Sequence, residues 1–344
     1  MMDKFVMIIF GASGDLTKRK LMPALYSLYR DNRLKGDFSV MGVGRTVYSD
    51  ADYRAYIYTE LEQFVKPDEQ DKELMDGFTQ HLYYLPIDPA IEAGYVRLRE
   101  RLQEITDEKE PDNLLFYLAT PPSLYGVIPL HLKKAHLNRG CARIIVEKPF
   151  GYDLHSAEEL NRIYASVFEE HQIYRIDHFL GKETAQNLLA FRFANGIFEP
   201  LWNRNYIDYI EVTAVENLGI EQRGGFYDTA GALRDMVQNH LIQLVALTAM
   251  EPPAVFNADT FRNEVVKVYE SLTPLTEEDF EEHIVRGQYT ASGSKKGYRE
   301  EKNVSPKSRT ETYIAMKLGI SNWRWSGVPF YIRTGKQMPT KVTE

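Results

Sequence analysis

The sequence predicts two domains: an α/β domain with a mostly parallel sheet, followed by an α+β domain with a large, mainly antiparallel sheet. The chain has 344 residues, which is more than one core usually supports. Apolar runs alternate with amphipathic stretches along its first part, as in βαβ units. This alternation stops near residue 176, and later strand-like runs lie close together in sequence. We therefore expect one domain at 1–176 and a second at 177–344.

The first domain opens with the run Phe5–Phe10, which is apolar throughout, as is typical of a strand buried on both faces. A glycine turn and a helical pattern from Leu16 to Tyr29 follow it. The order then repeats, with strands predicted at 38–43, 81–85, 114–118, 142–146 and 171–176 and helices near 53–64, 90–102 and after Pro122. Such alternation requires right-handed crossovers and helices on both faces of a parallel sheet.

The second domain has a different pattern. After a helix at Glu183–Phe193, the run Tyr206–Val215 alternates like an antiparallel strand with one solvent-exposed face. Thr229–Met250 reads as one long helix, and 312–320 and 329–333 read as strands. The polar span 270–309 between them predicts only short elements.

Composition limits the class of protein. A net charge of −8 argues against a broad nucleic-acid or membrane surface. The lone Cys141 excludes an internal disulfide framework and fits a reducing compartment, and no cluster of metal ligands stands out. No signal-peptide pattern opens the chain. We expect a cytoplasmic protein without a metal, nucleic-acid or membrane partner.

The glycine turn after the first strand is a candidate dinucleotide site. Its Gly11-x-x-Gly14 spacing departs from G-x-G-x-x-G, and a tight βα turn without a ligand is the alternative. The flanking strand and helix favour a Rossmann-like dinucleotide-binding domain, because glycines admit a pyrophosphate to the helix N-terminus. The candidate residues of this turn are Gly11, Ser13, Gly14, Asp15 and Leu16.

The end of the second strand predicts the choice of cofactor. An NAD enzyme generally places a carboxylate there, and an NADP enzyme an arginine near the 2′-phosphate. Arg45 follows this strand, and the nearest acid is Asp50. We therefore expect NADP, with NAD as a weaker possibility and a solvated loop arginine as the alternative reading of Arg45.

Lys148 lies in a Glu-Lys-Pro-Phe-Gly sequence at the end of the fifth predicted strand. An ammonium at that rim of the sheet can hydrogen-bond a cofactor or substrate oxygen. The alternative is a structural ion pair with Glu147.

The stretch Tyr174–Glu183, YRIDHFLGKE, places Asp177, His178 and Lys182 just after a strand. A carboxylate, an imidazole and an ammonium so close together can bind an anion and orient a general base. A solvated turn with a surface ion pair is the alternative.

A second polar block is Glu221–Leu241, EQRGGFYDTAGALRDMVQNHL, whose charged and amide residues lie on an otherwise apolar helical pattern. Such groups are expensive to bury unless they face a polar pocket. Asp235 and His240 would be about 140° apart on an α-helix, so they would contact different parts of one ligand.

These motifs together resemble the glucose-6-phosphate dehydrogenase family. The matching words include GASGDLTKRKLMPALY, EKPFG, RIDHFLGKE, RGGFYDTAGALRDMVQNH, TETY and NWRWSGVPFYIRTGK, in that order and over essentially the whole chain. The resemblance implies oxidation of glucose 6-phosphate at C1 to 6-phosphogluconolactone with hydride transfer to NADP⁺, the first step of the oxidative pentose phosphate pathway.

The resemblance also implies roles for individual residues. His240 would be the general base for the C1 hydroxyl, and Asp177 would accept a hydrogen bond from its other ring nitrogen. The remaining implied substrate ligands are His178 and Lys182 for the phosphate, Glu216 and Asp235 for sugar hydroxyls, and Lys148, Lys336 and Lys341 for an electropositive pocket.

Two departures from the family pattern stand out. Phe179 replaces the usual tyrosine, so a hydroxyl that could reach the phosphate is missing. The chain ends at Glu344, where family members continue, so we expect an incomplete second domain. The family is homo-oligomeric and dimerises through that sheet, so the dimer sheet would be incomplete too.

Two other functions stay open from sequence alone. One is a related sugar oxidoreductase that shares the Rossmann and Glu-Lys-Pro elements but uses another substrate. The other is a non-catalytic cofactor-binding fragment.

Overall fold

The computed structural model describes residues 5–34, 38–109, 111, 113–177 and 183–344, except for the side chains of 183–185. The chain forms two compact units, Met1–Ile176 and Asp177–Glu344. Each unit has its own sheet.

The first unit is built on a parallel sheet, as the sequence predicts. In its described part the sheet has six strands in the order β3-β2-β1-β4-β5-β6, and every pairing is parallel. The strands are β1 Phe5–Phe10, β2 Phe38–Gly44, β3 Leu82–Pro86, β4 Leu114–Leu118, β5 Arg143–Val146 and β6 Ile173–Arg175. The strand order reverses between β1 and β4, which is where open α/β sheets bind ligands.

Helices cover both faces of this sheet. They are α1 Met22–Arg30, α2 Asp50–Phe64, α3 Lys72–Gln80, α4 Gly94–Thr106, α5 Val127–Lys134 and α6 Leu154–Ala165. Side chains of β1 alternate between two cores: Val6 and Ile8 pack with α4 and α5, and Met7 and Ile9 pack with α1 and α2. Burial on both faces explains why β1 is apolar throughout.

One helix of the first unit starts later than predicted. The helix expected at 90–102 begins at Gly94, because the preceding residues form turns. Asp88 accepts from the backbone N–H groups of Ala90 and Ile91, and Ile91 accepts from Gly94. These local bonds satisfy the backbone without a helix.

The second unit contains a mainly antiparallel sheet, which confirms the predicted fold class. Its described strands lie in the order β11-β7-β10-β9-β8, and only β7 and β10 pair in parallel. They are β7 Ile210–Val215, β8 Ile284–Gly287, β9 Tyr313–Leu318, β10 Phe330–Gly335 and β11 Val342–Thr343.

The prediction for Tyr206–Val215 was wrong in two respects. The strand β7 begins only at Ile210, because Tyr206 and Ile207 form turns back to Asn203. It also pairs in parallel with β10, and its last four residues are all buried. Both faces of β7 are covered over these four residues, so the expected alternation of buried and exposed side chains is absent from them.

The helices described in this unit are α7 Glu183–Phe193, α8 Gly224–Ala232, α9 Ile242–Ala249, α10 Ala258–Glu270 and α11 Asp279–His283, with a π-helix at Leu233–Leu241. The single helix predicted for Thr229–Met250 was therefore wrong. Gly231 breaks it with φ +68° and ψ 175°. Glu311 stabilises the break, because its carboxylate accepts the Leu233 N–H at 3.0 Å and its carbonyl accepts the Ala232 N–H at 3.0 Å.

Arg192 is a fully buried cation that holds the end of α9. Its guanidinium donates to the carbonyls of Leu247 at 2.7 Å and Met250 at 2.8 Å, and it lies 3.3 Å from the Glu199 carboxylate. Burial lowers the pKa of Arg192 to about 10, so the group still carries its charge at neutral pH.

We expect Arg192→Met to lower the free energy of unfolding by about 3 kcal/mol or more, because it leaves two buried carbonyls without their donor and leaves Arg324 as the remaining cation beside Glu199. Urea unfolding of both proteins measures the difference. Arg262→Met is the control, since Arg262 is exposed and pairs with the exposed Asp259. Equal stability of the Arg192 and Arg262 variants would contradict this role.

Candidate active site

The turn after β1 has a backbone that only glycine can adopt. Gly11 has φ +87°, and a Cβ there would lie 2.2 Å from the Ala119 carbonyl oxygen at the end of β4. The turn is closed by two bonds to the Gly11 carbonyl, from the Gly14 N–H at 2.9 Å and the Thr17 hydroxyl at 3.1 Å. The backbone at Gly11 therefore has no side chain covering it at the point where the strand order reverses.

The other predicted residues of this turn surround the same backbone. Ser13 Oγ lies 3.1 Å from the Thr46 hydroxyl after β2, Leu16 is partly exposed, and Asp15 pairs with Arg19 at 2.7 Å. The glycine cradle at the start of the following helical segment fits a dinucleotide pyrophosphate, because a backbone without Cβ atoms lets the phosphates approach.

At the end of β2, Arg45 is exposed and the nearest acid is already occupied. One oxygen of Asp50 accepts the Tyr84 N–H at 2.8 Å, and the other lies 2.5 Å from the Arg101 guanidinium. The Asp50 carboxylate is therefore part of the framework between β3, α2 and α4.

At the end of β5, Lys148 and Glu147 are both partly buried. The Glu147 carboxylate accepts a hydrogen bond from the Tyr117 hydroxyl on β4 at 2.5 Å. Burial and this carboxylate raise the pKa of Tyr117. Glu147 thus has a structural partner on the neighbouring strand.

In the second unit, the structure brings His240 and Asp177 together. Nδ1 of the buried His240 lies 3.2 Å from Oδ1 of Asp177, although the two residues are far apart in sequence. His178 and Lys182, which the sequence analysis predicts as phosphate ligands, lie outside the described residues, as does Phe179. A buried imidazole beside a carboxylate is the arrangement of a general base held in one orientation.

His240 and Asp235 both lie on the π-helix Leu233–Leu241. A π-helix bonds i to i+5 and has more residues per turn than an α-helix, so residues five apart are closer in angle than the 140° expected from sequence. Asp235 is buried, and its Oδ1 lies 3.9 Å from the guanidinium of Arg223.

A group of charged side chains lies at the end of β7. The parallel register pairs Gly335 with Val215, so Lys336 and Glu216 are next to each other, and the Lys336 ammonium contacts the Glu216 carboxylate. The antiparallel register of β11 pairs Val342 with Val215, and the exposed Lys341 directly precedes Val342, so it lies at the same end of the sheet. Three predicted residues that are distant in sequence therefore lie at one end of the sheet.

Two residues that the sequence analysis did not single out also lie in this region. Arg223 approaches Asp235, as described, and the ring of Tyr227 lies beneath Lys336, whose Nζ is 5.9 Å from the ring centroid. Both belong to the polar block Glu221–Leu241, and membership of that block is the one sequence feature that could have pointed to them. Their roles depend on contacts between segments, which spacing alone does not reveal.

In the described ranges, no three His, Cys, Asp or Glu side chains form a group that could hold a metal ion. Across those same ranges, no helix combines the length and the apolar character needed to cross a bilayer.

The parallel sheet and the glycine turn at its strand-order reversal are those of the Rossmann-type dehydrogenases, which use a nicotinamide dinucleotide. Two family models match the chain: "Glucose-6-phosphate dehydrogenase, NAD binding domain" over residues 8–187 and "Glucose-6-phosphate dehydrogenase, C-terminal domain" over residues 189–344. The chain belongs to the glucose-6-phosphate dehydrogenase family.

Individual relatives agree with this assignment. The glucose-6-phosphate 1-dehydrogenase of Aggregatibacter actinomycetemcomitans is 55% identical over 98% of this chain and 69% of its own length. A solved glucose-6-phosphate dehydrogenase in complex with its substrate glucose-6-phosphate superimposes with a TM-score of 0.89 at 38% identity, covering 98% of this chain and 69% of the other. The Mycobacterium avium enzyme gives 0.85 at 39% identity, covering 98% and 71%.

Proposed function

We propose that this chain oxidises glucose 6-phosphate at C1 to 6-phosphogluconolactone and transfers the hydride to NADP⁺, the first step of the oxidative pentose phosphate pathway. The single observation that carries the proposal is the 3.2 Å approach of His240 Nδ1 to Asp177 Oδ1 in a member of this family. The reaction removes a proton and a hydride from one carbinol, so it needs one base and one hydride acceptor.

His240 is the base. With Nδ1 beside Asp177, the other ring nitrogen, Nε2, takes the proton of the C1 hydroxyl. Imidazole is the side chain best suited to accept a proton near neutral pH, and the adjacent carboxylate stabilises the imidazolium that forms. The bound nicotinamide supplies the hydride acceptor.

The sugar phosphate is held by residues of the second unit. The carboxylates of Glu216 and Asp235 accept hydrogen bonds from sugar hydroxyls, and the ammonium groups of Lys336 and Lys341 attract the phosphate. His178 and Lys182 complete the phosphate site by family resemblance. Lys148 hydrogen-bonds an oxygen of the cofactor or of the substrate.

NADP is the proposed cofactor. Gly11, Ser13, Gly14, Asp15 and Leu16 form the pyrophosphate turn, and Arg45 binds the ribose 2′-phosphate. The engagement of Asp50 with Arg101 and Tyr84 supports this choice, because an NAD enzyme needs an available carboxylate for the 2′-hydroxyl.

We expect Arg45→Glu to raise the KM for NADP⁺ by about tenfold or more while the KM for NAD⁺ changes little, because a charge-assisted bond to phosphate is replaced by repulsion. Steady-state kinetics with each cofactor measures the two constants. Arg33→Glu is the control, because it makes the same charge change at another exposed site of the first unit. Equal effects of the two substitutions would refute the role of Arg45.

The proposed function is tested by mixing the pure protein with glucose 6-phosphate and either NADP⁺ or NAD⁺ and following the absorbance of the reduced nicotinamide. A rise with NADP⁺ supports the proposal. Binding of NADP⁺ by calorimetry without any rise would identify a cofactor-binding fragment instead, and a rise only with unphosphorylated sugars would identify another sugar oxidoreductase.

The compartment and the partners of the enzyme are also part of the proposal. Cys141, the one cysteine of the chain, is consistent with a reducing compartment, so we place the enzyme in the cytoplasm, with a small-molecule substrate and no nucleic-acid or metal partner. Family resemblance suggests assembly with further copies of the chain.

A further inference from the structure

Tyr227, on α8, is a buried tyrosine whose contacts run through its ring. Its side chain is 1% exposed, and its hydroxyl has no hydrogen-bond partner among the residues that the structure describes. A buried hydroxyl in this state costs free energy, so the hydroxyl does not explain the position of this side chain.

The ring of Tyr227 lies among the residues proposed to hold the sugar phosphate. The Lys336 Nζ is 5.9 Å from the ring centroid, and that same ammonium contacts Glu216. Burial, followed by the nearby charges of Asp235 and Glu311, raises the pKa of Tyr227. The ring is therefore neutral, and its face attracts a cation.

Neighbouring side chains fix the orientation of this ring. Tyr298 meets it edge-on, with centroids 6.2 Å apart and planes at 71°. The Tyr298 hydroxyl donates to Asp228 at 2.9 Å, and Asp228 is the next residue after Tyr227. The Thr310 hydroxyl also donates to the Asp228 carbonyl at 2.8 Å. The ring is thus clamped between its own helix and the segment that precedes β9.

We propose that Tyr227 is a positioning residue of the sugar-phosphate site, whose ring face holds the Lys336 ammonium in place beside Glu216. This inference rests on the proposed function and adds a residue to the same site. A flexible lysine side chain loses rotamer freedom when it binds a ligand. A ring that confines the ammonium beforehand reduces this loss and so strengthens substrate binding.

Two variants separate the ring from the hydroxyl. Tyr227→Leu removes the aromatic face, and we expect the KM for glucose 6-phosphate to rise about three- to tenfold, with kcat and the KM for NADP⁺ changing much less. Tyr227→Phe keeps the face, and we expect the wild-type KM. A raised KM in the Phe variant, or a normal KM in the Leu variant, overturns the proposal.

A double variant tests whether Tyr227 acts through Lys336. In a Lys336→Met background, Tyr227→Leu should change the KM by less than about twofold, because the cation that the ring holds is gone. Tyr164→Leu is the control for loss of a fully buried ring, since Tyr164 lies on α6 in the first unit and its hydroxyl also has no hydrogen-bond partner among the described residues. Effects of Tyr227→Leu that multiply fully with those of Lys336→Met mean a general packing role and refute the inference.

The rise in Tm on adding glucose 6-phosphate provides a second readout for the same variants. It reports binding even in a protein that does not turn over, so it separates the two proposals. If the wild-type chain binds glucose 6-phosphate but does not oxidise it, only the proposed reaction is refuted. The coupling between Tyr227 and Lys336 is then measured from the rise in Tm of the single and double variants. A wild-type chain that shows no binding refutes both.

Discussion

His240→Ala should lower kcat by about 10²- to 10⁴-fold, the range expected when a general base is removed, with only a modest change in KM. The reason is that His240 contributes mainly to the transition state, when the proton leaves the C1 hydroxyl. Steady-state kinetics over a range of glucose 6-phosphate concentrations measures both constants.

The chain offers a matched control for this experiment. His283 also lies beside a carboxylate, with its Nδ1 3.5 Å from Asp279 Oδ1, and it belongs to the same unit. We expect His283→Ala to leave kcat near the wild-type value. If His240→Ala changes only KM, then His240 binds the substrate and another group removes the proton.

Strand and helix alternation was sufficient to predict the parallel sheet of the first unit, although not every helix that covers it. The apolar run of β1 and the glycine turn that follows it are local features, and Gly11 lies where only a residue without Cβ fits beside Ala119. The second unit was less predictable because its strand pairing is not local. Nothing in the sequence of β7 shows that it pairs in parallel with β10, which comes much later in the chain.

The broken helix shows why a good periodic pattern was misleading. Gly231 alone is tolerated in many helices at a modest cost. The break becomes favourable because Glu311, which is remote in sequence, binds the first N–H groups of the next segment. The π-helix that follows changes the angle between Asp235 and His240, and no residue pattern marks that change.

The candidate site depends even more on distant contacts. Residue chemistry alone pointed to Asp177 but left a surface ion pair as the alternative, and only the resemblance to the family singled out Glu216. The structure pairs Asp177 with His240 and Glu216 with Lys336, each across a long stretch of chain. Tyr227 was missed because its importance depends on the Lys336 ammonium that lies over its ring. Lys336 follows β10, which is far from Tyr227 in sequence, so no local pattern links the two residues.

The second large effect is expected for Asp177→Asn. The substitution keeps the shape of the side chain but removes the charge that stabilises the imidazolium, and its amide no longer enforces one tautomer of His240. We expect kcat to fall by about 10²- to 10⁴-fold, as when the carboxylate behind a catalytic histidine is neutralised. The KM for glucose 6-phosphate should change little.

The two substitutions should not act independently, because Asp177 works only through His240. In a His240→Ala background, Asp177→Asn should therefore lower kcat by less than about threefold further. Asp279→Asn, at the matched pair with His283, should leave kcat unchanged in either background. If the effects of Asp177→Asn and His240→Ala instead multiply, the carboxylate must contact the substrate directly, and the 3.2 Å approach between the two side chains would not be the basis of the proton transfer.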